Sequence, residues 1–470
     1  MLRDRYAAVD LFALVPALAL AFEPVLARLD SLLDDDALFQ AVKQDLARRR
    51  PKTMQTGRPS TPVEVLLRMF VVRRLYRWSY AQTEHFVSDS LVLRQFCRLG
   101  LAPAPDDTTL LRWAALIQPA TLDQLLDHVV MLARDLRVTR GRKLRVDSTV
   151  VQTAIHHPTD SSLLVDGVRT LCRLVRRARP VVGDALDGVR DAFRTRTRSA
   201  RRRLQTIHRA ARRKGEAAVV AQRAAYARLC QVARQVVCQA ARVQHTLRRL
   251  ATRRGRAGHR AGQRLAAALA RLLPLVRGVI AQTERRVLRG EAVSADEKLV
   301  SLIEPHTAII TRHKPGRPVE FGRKLWLAEV DGGIITDVQV LVGAPPDAPH
   351  VLPSLARHRR QFGHAPDLLT GDRGCSTPTV RHAAAALGVR RVALPHTGRP
   401  TPASRGQERQ RWFQRGYRWR AGIEGRIGVL QRQYGLDRCP DHGTDGVGRW
   451  VGWGVLTANL VTIAQATAAR

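Results

Sequence analysis

Acidic residues are scarce in this chain: 40 Asp and Glu stand against 79 Lys and Arg across 470 residues, a formal net charge of +39. A surplus that large costs self-repulsion in any compact state, and a polyanionic partner would relieve it. Nucleic acid is the default polyanion, because each phosphate neutralised by Lys or Arg releases condensed counterions. Cysteine is sparse too. The six fall at 97, 172, 230, 238, 375 and 439 with no CxxC among them. That spacing favours neither a zinc site nor a disulfide framework, and reduced thiols are expected. A long uninterrupted apolar run is also lacking. LFALVPALALAF near the start holds Pro16, follows Arg3, Asp4, Arg5 and Asp10, and continues as a helix pattern through Val25 and Leu29. It reads as part of an ordinary helix rather than a signal peptide. The run from Val451 to Ala464 carries Trp453, Thr457 and Asn459 and is too short to span a bilayer. A soluble, cytoplasmic protein with no membrane partner is the expectation. Aromatic residues are few at 5%, but 45% hydrophobic residues support two or three packed domains.

What is present falls into distinct stretches. Residues 1–50 read as helical, acidic in the middle at DSLLDDD, and KTMQTGRPSTP breaks the pattern with Gly57, Pro59 and Pro62. Short helices follow to about Ile117. Val65, Leu66, Met69, Phe70 and Leu75 form the stripe of the first, Ser79 with Gln82 makes a capping box, and Asp106 or Asp107 caps another. Such helices suit a helix-turn-helix DNA reader and a plain bundle equally. From Tyr226 the apolar positions Leu229, Ala233, Val236, Ala240, Val243, Leu247 and Leu250 keep a 3–4 spacing. After the break RRGRAGHR a second stripe runs through Leu265, Leu269, Leu272, Val276 and Val279. Two such helices predict an antiparallel coiled-coil hairpin. Its outer faces carry Arg201 to Arg203 and Arg212 to Lys214 with few acidic partners, a pattern that favours DNA contact over a solvated face. From Val319 onward strands alternate with helices: two strands about Asp331-Gly332-Gly333, a helix over Val351 to Phe362, the strand before GDRG, the helix TPTVRHAAAALG and the strand VRRVALP. That alternation predicts an α/β domain whose first strand is KLRVDSTVV, residues 143–151.

KLRVDSTVV has an aspartate in a strand-like run. An ionised carboxylate removed from water costs several kcal/mol, roughly, unless a cation or hydrogen bonds meet it. Asp147 therefore caps a turn with Ser148 and Thr149, or faces a cleft that holds a cation. A second carboxylate, Asp372, sits just past an apolar strand between Gly371 and Gly374, where open α/β sheets gather ligands. A third, Glu424, lies in WFQRGYRWRAGIEGRIGVLQRQYG, where Tyr417, Arg420, Glu424 and Gln431 share one helix face. Gly422, Gly425 and Gly428 leave a bare flank there for the approach of another backbone. Three carboxylates of this kind suit Mg²⁺, which takes few protein oxygens, waters and substrate phosphates. Two such ions would serve in-line displacement at phosphorus, with Mn²⁺ as a substitute. Arg373 and Lys324 are candidate phosphate contacts.

The segments RVDSTVVQTAIHHPTDSSLL, EPHTAIITRHKPGRPVEFGRK, LLTGDRG and YRWRAGIEGRIGVLQ resemble the DDE transposases of bacterial insertion sequences, most closely the ISNCY-type group. GRPSTPVEVLLRMFVVRRLYRWSYAQTEHFVSDS resembles the helical N-terminal region of the same enzymes. The resemblance covers residues 57–165 and 300–455. It implies an α/β ribonuclease-H-like catalytic domain, split into 140–165 and 300–450, with an α-helical N-terminal DNA-binding region at 1–135. An inserted basic coiled-coil hairpin at 166–298 and a C-terminal helix at 451–470 complete the expected division. Asp147, Asp372 and Glu424 would be the catalytic triad holding two Mg²⁺ ions. Tyr417 and Arg420 match the family's spacing before the glutamate, and its lysine position holds Gln431, so that these three face DNA. The implied activity is binding of element ends, strand cleavage and strand transfer. The implied partners are double-stranded DNA, as element ends and target, and a second copy of the chain in a homodimer on that DNA, at the nucleoid in the bacterial cytoplasm. A nuclease that cuts without joining, and a DNA-binding protein with a degenerate catalytic domain, are the alternatives.

Overall fold

The structure, a computed structural model, describes residues 1–6, 22–50, 52–250, 256–314, 317–399 and 401–469. All of LFALVPALALAF except Phe22 lies outside them. The chain forms a mixed, mostly helical α/β protein in two compact units, one made of Met1–Ala154 and Arg323–Arg470, the other of Ile155–Gly322.

Among the described residues seven helices open the first unit: α1 (Pro24–Leu33), α2 (Asp36–Ala47), α3 (Val63–Leu75), α4 (Tyr80–Asp89), α5 (Leu91–Phe96), α6 (Asp107–Ala114) and α7 (Pro119–Asp135). The expected capping box is present: Ser79 Oγ accepts from Gln82 N at 3.2 Å, and Gln82 Oε1 accepts from Ser79 N at 2.9 Å. Asp106 caps α6, accepting from Thr109 N at 2.7 Å. The α3 helix is buried on nearly every side, so its arginines need internal partners. The acidic stretch supplies two of them: Arg68 Nη1 and Nη2 donate to Asp30 at 2.6 Å and Asp34 at 2.5 Å. Arg73 lies over the Tyr80 ring, and Arg74 over Trp450. Strand β1 (Lys143–Thr153) follows, with Leu144, Val146, Val150 and Val151 buried.

The second unit holds α8 (Asp160–Val182), α9 (Thr197–Ala211), α10 (Glu216–Leu250), α11 (Arg256–Thr283) and strand β2 (Ala308–Lys314). The two long helices read from the sequence are there, and their stripes are buried except at Leu250 and Leu265, which are half-buried. They are not alone: Leu163, Leu164, Val168, Leu171 and Val175 of α8 and Ile207 of α9 enter the same core. Four helices thus share the apolar surface that the spacing pattern assigns to two. Arg260–Leu288 is long and apolar enough to cross a membrane by length and composition, but its Leu269, Leu273, Val276 and Val279 are buried in that core.

Strand β3 (Arg317–Val330) runs across the division between the units, and β2 pairs antiparallel with its first part, Thr311 opposite Val319. In the first unit β3 continues into β4 (Ile335–Val340) through the turn Asp331–Gly333, Leu325 opposite Val340, as the glycine turn predicts. Then come α12 (Ala348–Phe362), β5 (Leu368–Thr370), α13 (Pro378–Ala386), β6 (Arg391–Ala393), α14 (Pro402–Arg409), α15 (Arg411–Arg420), α16 (Gly422–Tyr434), β7 (Arg438–Cys439) and α17 (Gly443–Ala468). Strand β1 lies between β3 and β5, and β6 follows β5; the β1–β5, β5–β6 and β1–β7 pairs are parallel. The terminal helix α17 is a core element, burying Trp450, Val455, Leu456, Leu460 and Ile463. Its Asn459 exchanges two hydrogen bonds with the Ile335 backbone and holds the end of β4.

Candidate functional site

Strand register brings the first two carboxylates together. Arg145 of β1 is level with Thr370 of β5; Asp147 stands two residues further along β1, and Asp372 lies just past the end of β5. Asp147 is 14% exposed, and Ser148 N donates to its Oδ1 at 2.7 Å. Burial pushes its carboxyl up to about 6 against the Ser148 hydrogen bond. The charges of Asp372 and Asp347 push the same way, and Arg420 opposes them. Asp372 caps a short turn by accepting from Cys375 N at 3.0 Å. That turn leaves Arg373 exposed. The Cys375 thiol is buried beside Asp372 and held well above its ordinary pKa, which keeps it neutral.

The third carboxylate connects differently. The helix read as continuous is two segments, α15 and α16, meeting at Ala421, whose φ of −54° and ψ of −26° keep the backbone helical across the join. The side-chain spacing therefore survives. Arg420 Nη2 donates to Glu424 Oε1 at 2.7 Å, while Arg420 Nη1 lies 3.9 Å from Asp147 Oδ2. Glu424 is 66% exposed and reaches Asp147 through this guanidinium. Tyr417 is partly exposed, under Arg420 and stacked on Phe413. Gln431 Nε2 donates to Thr149 Oγ1 of β1 at 3.2 Å, so its amide is engaged with the strand. Among the described residues no three His, Cys, Asp or Glu side chains converge closely enough to hold a metal ion.

One residue that the sequence patterns do not mark stands at the centre. Asp347, in GAPPDAPH, precedes α12 and reads as a helix cap, yet its backbone is helical and its side chain makes no cap bond. Its carboxylate instead accepts from Ser148 Oγ at 3.0 Å and pairs with Lys324 Nζ at 2.9 Å. Lys324, expected at phosphate, also donates to Pro345 O at 2.7 Å and is thus tied to the site's own framework. A methyl group placed on Gly374 would lie 3.3 Å from Asp372 Oδ1 and 3.6 Å from Asp347 Oδ2. Only the absence of a cap bond distinguishes Asp347, and that is invisible without the fold.

The helix glycines have different neighbours from the ones the sequence suggested. A Cβ on Gly422 would strike the Arg145 guanidinium, so the bare flank there is filled by protein; Gly425 alone faces open space. Arg145 grips Glu329 with both Nε (2.8 Å) and Nη2 (2.7 Å) and donates to Trp419 O at 2.8 Å, tying α15 to the sheet beneath Asp147.

Comparison with known families places residues 19–116 on a model described as Transposase domain (DUF772). That stretch contains α1 to α6 and none of the carboxylates. No curated protein and no solved structure matches the chain. The matched stretch is similar to a transposase domain and covers 98 of the 470 residues; Asp147, within β1, and Asp372, just past β5, lie outside it.

Proposed function

We propose that this protein is a DNA transposase of the DDE type that binds element ends and carries out strand cleavage and strand transfer on a ribonuclease-H-like catalytic domain. The observation that carries the reading is the nearness of Asp147 in β1 to Asp372 just past β5, whose charge acts on it, beside Arg420 and Glu424. The pair fits Mg²⁺, which takes one or two carboxylates and completes its shell with water and substrate phosphate oxygens. Crowding of Asp147 by two other carboxylates is the state that a divalent cation would relieve. Asp147 and Asp372 would hold the ion, Glu424 would join when Arg420 releases it, and Mn²⁺ is an admissible substitute. When bound, two such ions supply Lewis-acid stabilisation of the attacking and leaving oxygens.

The chain's own groups have separable roles. Ser148 N fixes one oxygen of Asp147, leaving the other toward Arg420. Arg420 neutralises the carboxylates in the absence of substrate and can turn to a phosphate, which its planar fork grips in the same way. Tyr417 and the exposed Arg373 flank the approach. Double-stranded DNA is the partner, at element ends and target, and a homodimer on that DNA would present one such site to each end.

Asp147→Asn is the test, on DNA bearing the sequences that flank the gene. Strand cleavage should fall by on the order of a thousandfold, the several kcal/mol that lost ion stabilisation represents. DNA affinity should hold or rise, because a negative charge near phosphate is gone. Cleavage at the normal rate would make Asp147 a turn residue and end the reading.

A further inference from the structure

The second unit contains a cleft of about 470 Å³ between α10 and the segment that leads into α9. That size falls within the range of small-molecule sites, roughly 300–1,000 Å³. One wall is a single face of α10, with Gln231, Arg234, Gln235, Cys238, Gln239 and Arg242 recurring at 3–4 spacing. The floor is apolar, formed by Leu186, Ala192 and Val243, and Val189 stands half-open at the edge. The rim carries Arg190, Arg196, Arg234 and Arg242 against the single acid Asp191.

The cleft is built to stay open. The buried Gln239 amide donates to the carbonyls of Asp191 at 3.0 Å, Ala192 at 2.8 Å and Arg194 at 3.1 Å, which fixes the facing loop on the helix. Arg196 is held in place at the mouth, donating to Gln235 Oε1 at 2.9 Å and pairing with Asp191 at 3.3 Å. Arg190 and Arg242 are exposed and make no ion pair among the described residues. An apolar floor with two unspent guanidiniums at its rim matches one chemical object, a nucleotide with its base out of the stack and its phosphate outside. Exposed Arg201, Arg202, Arg209, Arg212 and Arg213 on and after α9 continue the positive surface on the same unit, so a polymer suits it better than a free nucleotide.

We propose that this cleft captures an unpaired nucleotide of a DNA strand, with the base on Leu186, Val189 and Ala192 and the flanking phosphate on Arg190 and Arg242. The inference rests on the reading of the protein as DNA-binding and adds that part of the DNA is recognised unpaired. Arginine forks suit phosphate, and base stacking and burial tolerate any sequence.

Cys238 provides a probe, since it lines the cleft and is the exposed cysteine while the other five are buried. Its alkylation rate in the full-length protein should fall at least fivefold with a duplex carrying one unpaired nucleotide, and little with the fully paired duplex. Affinity should favour the bulged duplex about tenfold. Arg190→Gln/Arg242→Gln should abolish both the protection and the preference while leaving paired-duplex binding within a fewfold. Val189→Asp, which puts a carboxylate at the edge where the base and phosphate would enter, should do the same. Paired and bulged duplex bound equally, with Cys238 unprotected by either, would overturn the inference and leave DNA binding standing. No binding of either duplex would end both. Protection by free deoxynucleoside monophosphate but not by bulged DNA would assign the cleft to a small molecule and overturn the proposal as stated.

Discussion

Gln431 offers the sharpest contrast between what a residue is made of and where it is placed. Its helix position faces the site, but its amide is spent on Thr149 of β1. A lysine there has nearly the same helix propensity and a longer, charged reach. Its charge-assisted bond to a phosphate is about twice as strong as a neutral one. Gln431→Lys should therefore raise affinity for cognate DNA about fivefold, roughly 1 kcal/mol, and steepen its salt dependence. Fluorescence anisotropy across a salt series reads both. Unchanged affinity would mean that position 431 serves the strand and not the substrate. The arginines of α3 show the opposite case. Arg68 and Arg74 belong to the same basic excess that signals nucleic acid, yet Arg68 is bound to Asp30 and Asp34, and Arg74 lies under Trp450. Charge counted along a sequence cannot separate cations spent inside from those left for a partner.

At the scale of elements the unspent cations concentrate on α9 and the turn after it. Arg201, Arg202, Arg209 and Arg212 are exposed and without ion pairs among the described residues, while Ile207 and Ala210 hold the helix to its neighbours. Changing those four to Gln should keep the bundle folded, as circular dichroism would show. It should also lower the slope of log affinity against log salt by up to about 3.6, at ~0.9 for each phosphate no longer neutralised. A slope that does not move would make the helix face merely solvated. Much at this scale was legible beforehand: Ser79 with Gln82, the cap at Asp106, the α10 stripe and the hairpin about Gly332 are local patterns, and local patterns survive folding. Asp147 was legible as a carboxylate within a strand and Asp372 as one just past a strand. What escaped were the partners of long sequence separation: Asp347 beside Ser148, Arg145 in the flank of Gly422, and Arg420 near Asp147. No periodicity marks such pairs.

For the molecule as a whole, Arg357 joins the N-terminal helices to the sheet inside the first unit. It donates to Asp123 at 2.6 Å and Asp127 at 2.8 Å of α7 and to the buried Asp337 of β4 at 3.1 Å. Arg357→Leu would strand Asp337 without its cation and should cost about 3–5 kcal/mol in chemical denaturation. A loss below about 1 kcal/mol would mean that water satisfies the carboxylates. Beside it, His358 is buried against Phe362, and burial, then the nearby His364, lowers its pKa from 6.5 to about 4. Its neutral form is the folded one, so its contribution is complete above pH 6.5 and disappears as pH falls toward 4. Unfolding free energy should drop by up to about 3 kcal/mol over that window. His358→Phe should flatten the drop, and an unchanged pH profile would place the titration elsewhere. The interruption of the first unit by Ile155–Gly322 has a consequence in time. On the ribosome β1 emerges about two hundred residues before β5, roughly 10–40 s at 5–20 residues per second. Through that interval its valines have no parallel neighbour, and until β3 emerges both edges of the nascent strand are bare and prone to aggregation. Helical packing within the insertion can proceed meanwhile, since contacts close in sequence form early. A preformed insertion would shorten the effective loop between the two halves of the sheet and lower the entropy cost of closing it. The insertion would then act in biogenesis, apart from any part it takes in binding.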